Sequence, residues 1–265
     1  MTSFQDIELL WQFPSPHDSS ELADASIQSA LEFVQANQIR ALLWMYEPQA
    51  EPVVAAISEN AQVSVEPVVP NMTAYVRDTA DRGIIGAALV RFKRLGLLEQ
   101  ACIMWHNVGR AHRVIAKDFN TGLLLLVEME LAKFRKWRPT HVFLHPSVTD
   151  LALALDNKKL FVEYAHLIRR VYRLKPGLMT HNYGRLAPEL RNWNVEVDAI
   201  VGPFNRKGYL MNPSQEECEH ARRESSAQVI ASHIDAGGTL DLAVSAEYLR
   251  ELNIRKALIN YASSG

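Results

Sequence analysis

The sequence predicts a closed (β/α)8 barrel, and three observations predict it. Short, nearly continuous apolar runs alternate with longer amphipathic ones along the chain, as in a parallel sheet whose outer face is covered by helices. The runs recur at close to one βα unit per thirty-odd residues, about the usual length of such a unit. About eight of these units fill a chain of this length, as a barrel requires. No glycine-rich turn follows the first apolar run, which counts against an open doubly wound sheet. No Pro/Gly/Ser linker breaks the alternation, so residues 1–265 read as a single domain.

The strand candidates in order are "ELLWQF" (8–13), "RALLWMY" (40–46), "VSVEPVV" (63–69), "CIMWH" (102–106), "HVFLH" (141–145), "GLMTH" (177–181), "DAIVG" (198–202), "VIASHI" (229–234) and "KALINY" (256–261). Helical stretches with start signals stand between them. "DSSELADASIQSALEFVQ" opens on Asp and Ser caps, and "NPSQEECEHARRES" on Asn-Pro-Ser followed by acidic residues. Nine candidates compete for eight places. Either one earlier run is not a barrel strand, or 256–261 is an appended edge.

In such a barrel the eight βα loops gather at the C-terminal ends of the strands, where ligands bind. Three candidates carry a histidine at that end: His106, His145 and His181. By period-two alternation an inward His145 places Phe143 inside and Val142 and Leu144 outside, an arrangement that permits the histidines to converge without compelling it. Glu66 interrupts an apolar strand and points inward if Val63 and Val65 pack on helices; a buried carboxylate there needs a partner. Glu66, His106, His145 and His181 are therefore the candidate catalytic residues. The same four would ligate a divalent metal or act without one as an acid–base set. The sequence leaves both open, and no close-spaced metal motif is present.

Further residues fall at the expected mouth: Tyr46 and Glu47, Asn107 and Arg110, Asn182 and Arg185, Asn205 and Lys207, His233 and Asp235. Arginines there would clamp a carboxylate, and the loops "GPFNRKGYLMNPS" and "HIDAGGTLD" would suit an anionic or phosphorylated group. The expected partner is thus a small polar substrate. A net charge of -2 with scattered basic residues argues against nucleic acid. Two cysteines make no disulfide framework and point to a reducing, cytoplasmic compartment. "MTSFQDIELL" does not read as a signal peptide. "TGLLLLVEMEL" (121–131) is too short to span a bilayer. Barrels of this size often associate, so a homo-oligomer is expected. No G-x-S-x-G elbow and no strand-end lysine support covalent catalysis.

Three stretches resemble the aldo/keto reductases, a (β/α)8 family that uses NADPH. "THVFLHPSVTD" is similar to the strand ending in that family's catalytic-site histidine, which maps to His145. "GPFNRKGYL" is similar to its later proline-and-glycine loop, and "LNIRKALINYASSG" to its strand closing near the cofactor phosphate. The resemblance implies an NADPH oxidoreductase with Tyr46 in the acid role beside His145. The family's catalytic lysine falls within "VSVEPVV", where this chain has Glu66. A lyase, isomerase or hydrolase barrel is the first reading, a reductase the second, and a ligand-binding barrel without chemistry the third.

Overall fold

A computed structural model describes residues 4–13, 27–72, 92–93, 95–107 and 119–260. Eight parallel strands close into a barrel in sequence order: β1 (Glu8–Gln12), β2 (Ala41–Trp44), β3 (Ser64–Val69), β4 (His141–Leu144), β5 (Lys175–Met179), β6 (Ala199–Pro203), β7 (Gln228–Ser232) and β8 (Lys256–Asn260). β8 pairs with β1 from Glu8↔Lys256 to Gln12↔Asn260 and completes the ring. The described helices are α1 (Ile27–Ala36), α2 (Glu51–Ala61), α3 (Leu97–Asn107), α4 (Phe119–Leu131), α5 (Pro146–Ala154), α6 (Lys158–His166), α7 (Tyr183–Asn192), α8 (Gln215–Glu224) and α9 (Leu242–Glu251). Among the described residues no helix is long and apolar enough to cross a membrane.

The surplus strand is resolved by a correction. Residues 102–106 lie in α3, inside the long connection between β3 and β4, and 256–260 is the eighth barrel strand. Ile103 packs with Leu126 and Met129 of α4, while Met104 and Trp105 face solvent. An apolar run of four residues has no period of its own, so a helix turn and a buried strand read alike in it. His106 is therefore a helical residue and not a strand end.

Alternation along the strands separates two apolar layers. Leu10, Ala41, Leu43, Val68, Phe143, Met179, Ala199, Val201, Ile230 and Leu258 form the barrel interior. Their neighbours Leu42, Val65, Val142, Leu144, Leu178 and Val229 pack outward against the helices. Cap chemistry follows the sequence at α8, where Ser214 accepts from the Glu217 N–H at 3.2 Å. From α6, the buried Tyr164 hydroxyl donates toward the carbonyls of Val142 (2.7 Å) and Gly177 (3.1 Å), tying the helix to β4 and β5.

The interior is filled by pairing large with small. Phe143, Gly177 and Ala199 are register partners across β4, β5 and β6, and a Cβ on Gly177 would meet the Phe143 ring at 2.5 Å. Gly177→Ala should thus destabilise the barrel by about 1–3 kcal/mol through overpacking. Adding Phe143→Leu should recover part of that loss. Urea denaturation of the two single variants and the double variant measures the coupling; additive losses would show that the two side chains do not share one space.

Candidate active site

The strand-end pattern does bring histidines to the barrel mouth, although not the set of four expected from sequence. His145 follows β4 directly and caps α5. Its Nδ1 accepts from the Ser147 N–H at 3.2 Å, and Pro146 occupies the first turn, where its missing N–H is harmless. A backbone N–H can only donate, so Nδ1 is unprotonated and the ring's one proton sits on Nε2. Burial pulls the His145 pKa down to about 4. The nearby His181 charge adds to that fall, against the smaller pull of Asp150. His145 is a neutral imidazole at neutral pH.

His181 is its opposite. The Asp150 carboxylate, carried on α5, takes three contacts from the end of β5: the Thr180 hydroxyl at 2.5 Å, the His181 backbone N–H at 3.1 Å and His181 Nδ1 at 3.2 Å. Nδ1 must carry a proton to donate there, which leaves Nε2 as the basic nitrogen. The hydrogen bond that His181 donates to Asp150 raises the His181 pKa, with burial opposing it. Burial pushes the Asp150 pKa up, but the bonds from His181 and Thr180 outweigh it and hold the carboxyl below its usual range. The His181 side chain is 48% exposed, so the pair is reachable from solvent.

His233 joins them by a turn of the backbone. Strand alternation would send it outward with Val229 and Ala231, but its φ of 51° lies in the left-handed region and brings its ring centroid to 6.3 Å from that of His181. Such a conformation costs energy for a residue with a side chain and recurs at functional sites. Burial lowers the His233 pKa, and the His181 charge lowers it further. Tyr209 stands 6.4 Å from the same ring. The loop after β6 is latched beneath His181: Asn212 Nδ2 donates to the His181 carbonyl at 3.0 Å, and the Gly184 N–H donates to the Asn212 carbonyl at 3.1 Å. Gly184 permits this approach, since a Cβ there would lie 2.9 Å from Pro213 Cδ.

Glu66 does point inward, but it is at the other end of the barrel. Its carboxylate accepts from the Thr140 N–H (3.0 Å), the Thr140 hydroxyl (2.9 Å) and the His141 N–H (2.7 Å), where β4 begins. His145 lies four residues further up the chain, about 13 Å at the usual rise per residue. Tyr46 packs outward on Trp44 and Phe134 and donates its hydroxyl to Glu51. Burial, then Glu51, pushes its pKa up to about 12, so the acid role implied by the reductase resemblance has no support in this placement. Glu47 is buried against Asn71 Nδ2 at 3.1 Å.

The remaining candidates mostly brace loops. Asn205 exchanges bonds with the Tyr209 backbone at 2.8 Å each way, and Lys207 donates to the Thr239 carbonyl at 3.1 Å. Asp235 holds the turn at Gly237 by accepting its N–H at 3.2 Å. Asn182 caps α7 with its backbone, donating to Thr180 Oγ1 at 2.8 Å. Arg185 is exposed and pairs with Asp156 at 3.0 Å. Asn107 ends α3. The side chains of His106 and Asn107 and the whole of Arg110 lie outside the described residues. Asp150 and Thr180 were missed by sequence reasoning. Their signal is an Asp in the helix that opens on His145 and a Thr immediately before His181.

Among the described residues no group of three or more His, Cys, Asp and Glu side chains is arranged to hold a metal ion. Among the described residues, cavities lie away from the mouth. A groove of about 390 Å³ runs beside Gln38, Arg40 and Gln62 at the foot of the barrel. A smaller one of about 170 Å³ separates α7 from α8. The mouth is singled out by its chemistry. The fold is a (β/α)8 barrel with a histidine-lined mouth. No protein-family model matches the chain, and no curated protein matches it. Among solved structures it is similar in outline to a dipeptide epimerase from Enterococcus faecalis V583, at 10% identity and a TM-score of 0.42, over 96% of this chain and 56% of that one.

The mouth has a pH signature. His145 and His233 have folded pKa values below the unfolded one, so the unfolded chain takes up protons that the folded chain refuses. Stability should fall as pH drops from about 6.5, the unfolded histidine value, toward the His145 value of about 4. His181 has the opposite sign: its stabilisation is complete below the unfolded pKa and is lost as pH rises through the raised folded one. His145→Asn keeps a cap acceptor and removes a titrating group. Its loss of stability on acidification through that range should be shallower than that of the wild type in urea titrations. Parallel curves would show that His145 titrates normally.

Proposed function

We propose that this barrel is an enzyme of the isomerase or lyase kind, transferring protons on a small polar substrate that bears a carbonyl or carboxylate oxygen. The observation that carries this reading is the His181–Asp150 contact at 3.2 Å beside a histidine held neutral. Asp150 fixes the His181 tautomer, so Nε2 can take a proton, and the same carboxylate steadies the imidazolium that forms. The hydrogen bond to Asp150 raises the His181 pKa and makes Nε2 a stronger base. His145 cannot serve as a proton store with a pKa of about 4. Its Nε2–H is instead a neutral donor to an oxygen on which negative charge develops, a role imidazole takes at helix N-termini. His233, also held neutral, lies beside His181 as a second polar contact for the substrate. Thr180 and Asn212 position the base from behind.

Solvent deuterium exchange tests the reading. A panel of small carbonyl and hydroxy acids incubated with the protein in D2O should include one whose carbon-bound proton exchanges, followed by NMR. His181→Ala should reduce that exchange on the order of 100-fold or more, and Asp150→Asn should slow it and shift the pH profile toward lower pH. Undiminished exchange in His181→Ala would sink the assignment. Histidine Cε1–H titrations give a readout independent of turnover: Asp150→Asn should lower the His181 pKa and leave His145 protonating near 4.

A further inference from the structure

The strand registers place two polar side chains beneath the histidines of the mouth. Strands tilt in a closed barrel, so a level layer takes four side chains from alternate strands. Each member stands two residues beyond the register partner carried across from the member before it. Gln12 pairs with Leu43 and Leu43 with Glu66, so the layer continues at Val68. Val68 pairs with Phe143 and Phe143 with Gly177, which leads to Met179. Met179 pairs with Val201 and Val201 with Ile230, which leads to Ser232. The β7–β8 register carried one residue on sets Ser232 beside Leu258, and Leu258 pairs with Leu10, which returns to Gln12. Gln12, Val68, Met179 and Ser232 are thus one closed layer at the top of the apolar interior. His145 stands one residue above it and His181 two.

We infer that Gln12 and Ser232 form the floor of the site and determine its specificity by receiving an uncharged hydroxyl or carboxamide group of the substrate, an inference that rests on the proton-transfer reading of the mouth. Both side chains point inward: Gln12 has the parity of Leu10 and Ser232 that of Ile230, which are interior residues, while Trp11 and Ala231 between them pack outward. Gln12 is half-buried, and among the described residues nothing hydrogen-bonds its amide. Ser232 is buried with its hydroxyl 3.2 Å from His233 Nδ1. Polar groups withdrawn from water are partnered in folded proteins, and the open mouth above Gln12 is where a partner can enter. An amide and a hydroxyl each donate and accept, which matches a group that does both. The layer contains no Lys, Arg, Asp or Glu, so a charged end would be buried there without a counter-charge. Val68 and Met179 complete the floor with apolar contact for the substrate's carbon chain, and the reacting carbon lies above it, at the height of the imidazoles.

NMR titration of the 15N-labelled full chain with lactate, glycerate and 3-phosphoglycerate tests the floor. Glycerate adds one hydroxyl to lactate, and phosphoglycerate puts a charge on that hydroxyl. Glycerate should bind about tenfold more tightly than lactate, the increment of one neutral hydrogen bond, and should move the Gln12 side-chain amide signals. Phosphoglycerate should bind more weakly than glycerate. Gln12→Leu and Ser232→Ala should each reduce the preference for glycerate over lactate, and His181→Ala should keep it. Equal affinity for lactate and glycerate, tighter binding of phosphoglycerate, no binding of any of the three, or a preference untouched by both floor variants would overturn the inference. Deuterium exchange separates this from the reading on which it rests. Exchange lost in His181→Ala without a glycerate preference in the wild type would remove the floor and leave the base. A glycerate preference without exchange of any compound would remove the base and leave the floor. Should a floor variant fail to fold, the wild-type affinities and the Gln12 signals still decide.

Discussion

Closure of the sheet is the constraint on which everything else depends. β8 meets β1 along five register pairs, Glu8↔Lys256 through Gln12↔Asn260, and Lys256 Nζ reinforces the first with an ion pair to Glu8 at 3.0 Å. Without that seam the strands would form an open sheet, and loops that are distant in sequence would have no common rim. The seam also fixes what the interior must contain. A closed ring has a set volume, so the Phe143 ring is accommodated by the missing side chain of Gly177. His145 then follows two positions above Phe143 and His181 four above Gly177, both on the same inward parity. The packing of the core and the meeting of the two imidazoles are consequences of one register.

Much of this was legible in the sequence, for a physical reason. Seven of the barrel strands, and the eighth at 256–260, stand out because a strand buried on both faces must be apolar throughout and short. The failure at 102–106 has the same root. Cys-Ile-Met-Trp is also apolar and short, and in α3 only Ile103 of the four is buried. Apolar content marks burial in a folded domain, and here it marks a surface. The nine-for-eight conflict was itself the warning, because a closed barrel admits no spare strand.

The site was half legible. Period two says which face of a strand a residue occupies but nothing about its height along the barrel axis. Glu66 was correctly turned inward and wrongly raised to the mouth. It is the third residue of a six-residue strand and pairs with the beginning of β4. His233 shows the converse: its height was right, and its direction depends on a left-handed φ that alternation does not anticipate. Asp150 escaped because its role depends on α5 leaning over the end of β5, a contact between consecutive units that no local spacing encodes.

The foot and the mouth of the barrel use one device to different ends. At the foot a carboxylate, Glu66, grips a Thr-His pair through the Thr140 hydroxyl and the His141 N–H. At the mouth Asp150 grips a second Thr-His pair through the Thr180 hydroxyl and the His181 N–H. What differs is where the imidazole goes. His141 Nδ1 turns to the Thr140 hydroxyl at 2.8 Å, its ring stacks on Phe143, and burial lowers its pKa against the opposing pull of the Glu66 charge, with Lys175 and Lys256 adding to the fall. His181 turns its Nδ1 onto the carboxylate itself and is raised. A carboxylate that satisfies backbone and hydroxyl donors alone is a structural clasp, and it stabilises a strand end by leaving no buried charge unanswered. The same carboxylate with an imidazole as its third donor becomes a means of setting a base. The two carboxylates come from different elements, a strand at the foot and a helix at the mouth, so a Thr-His pair beside a strand does not by itself say whether it is poised for chemistry.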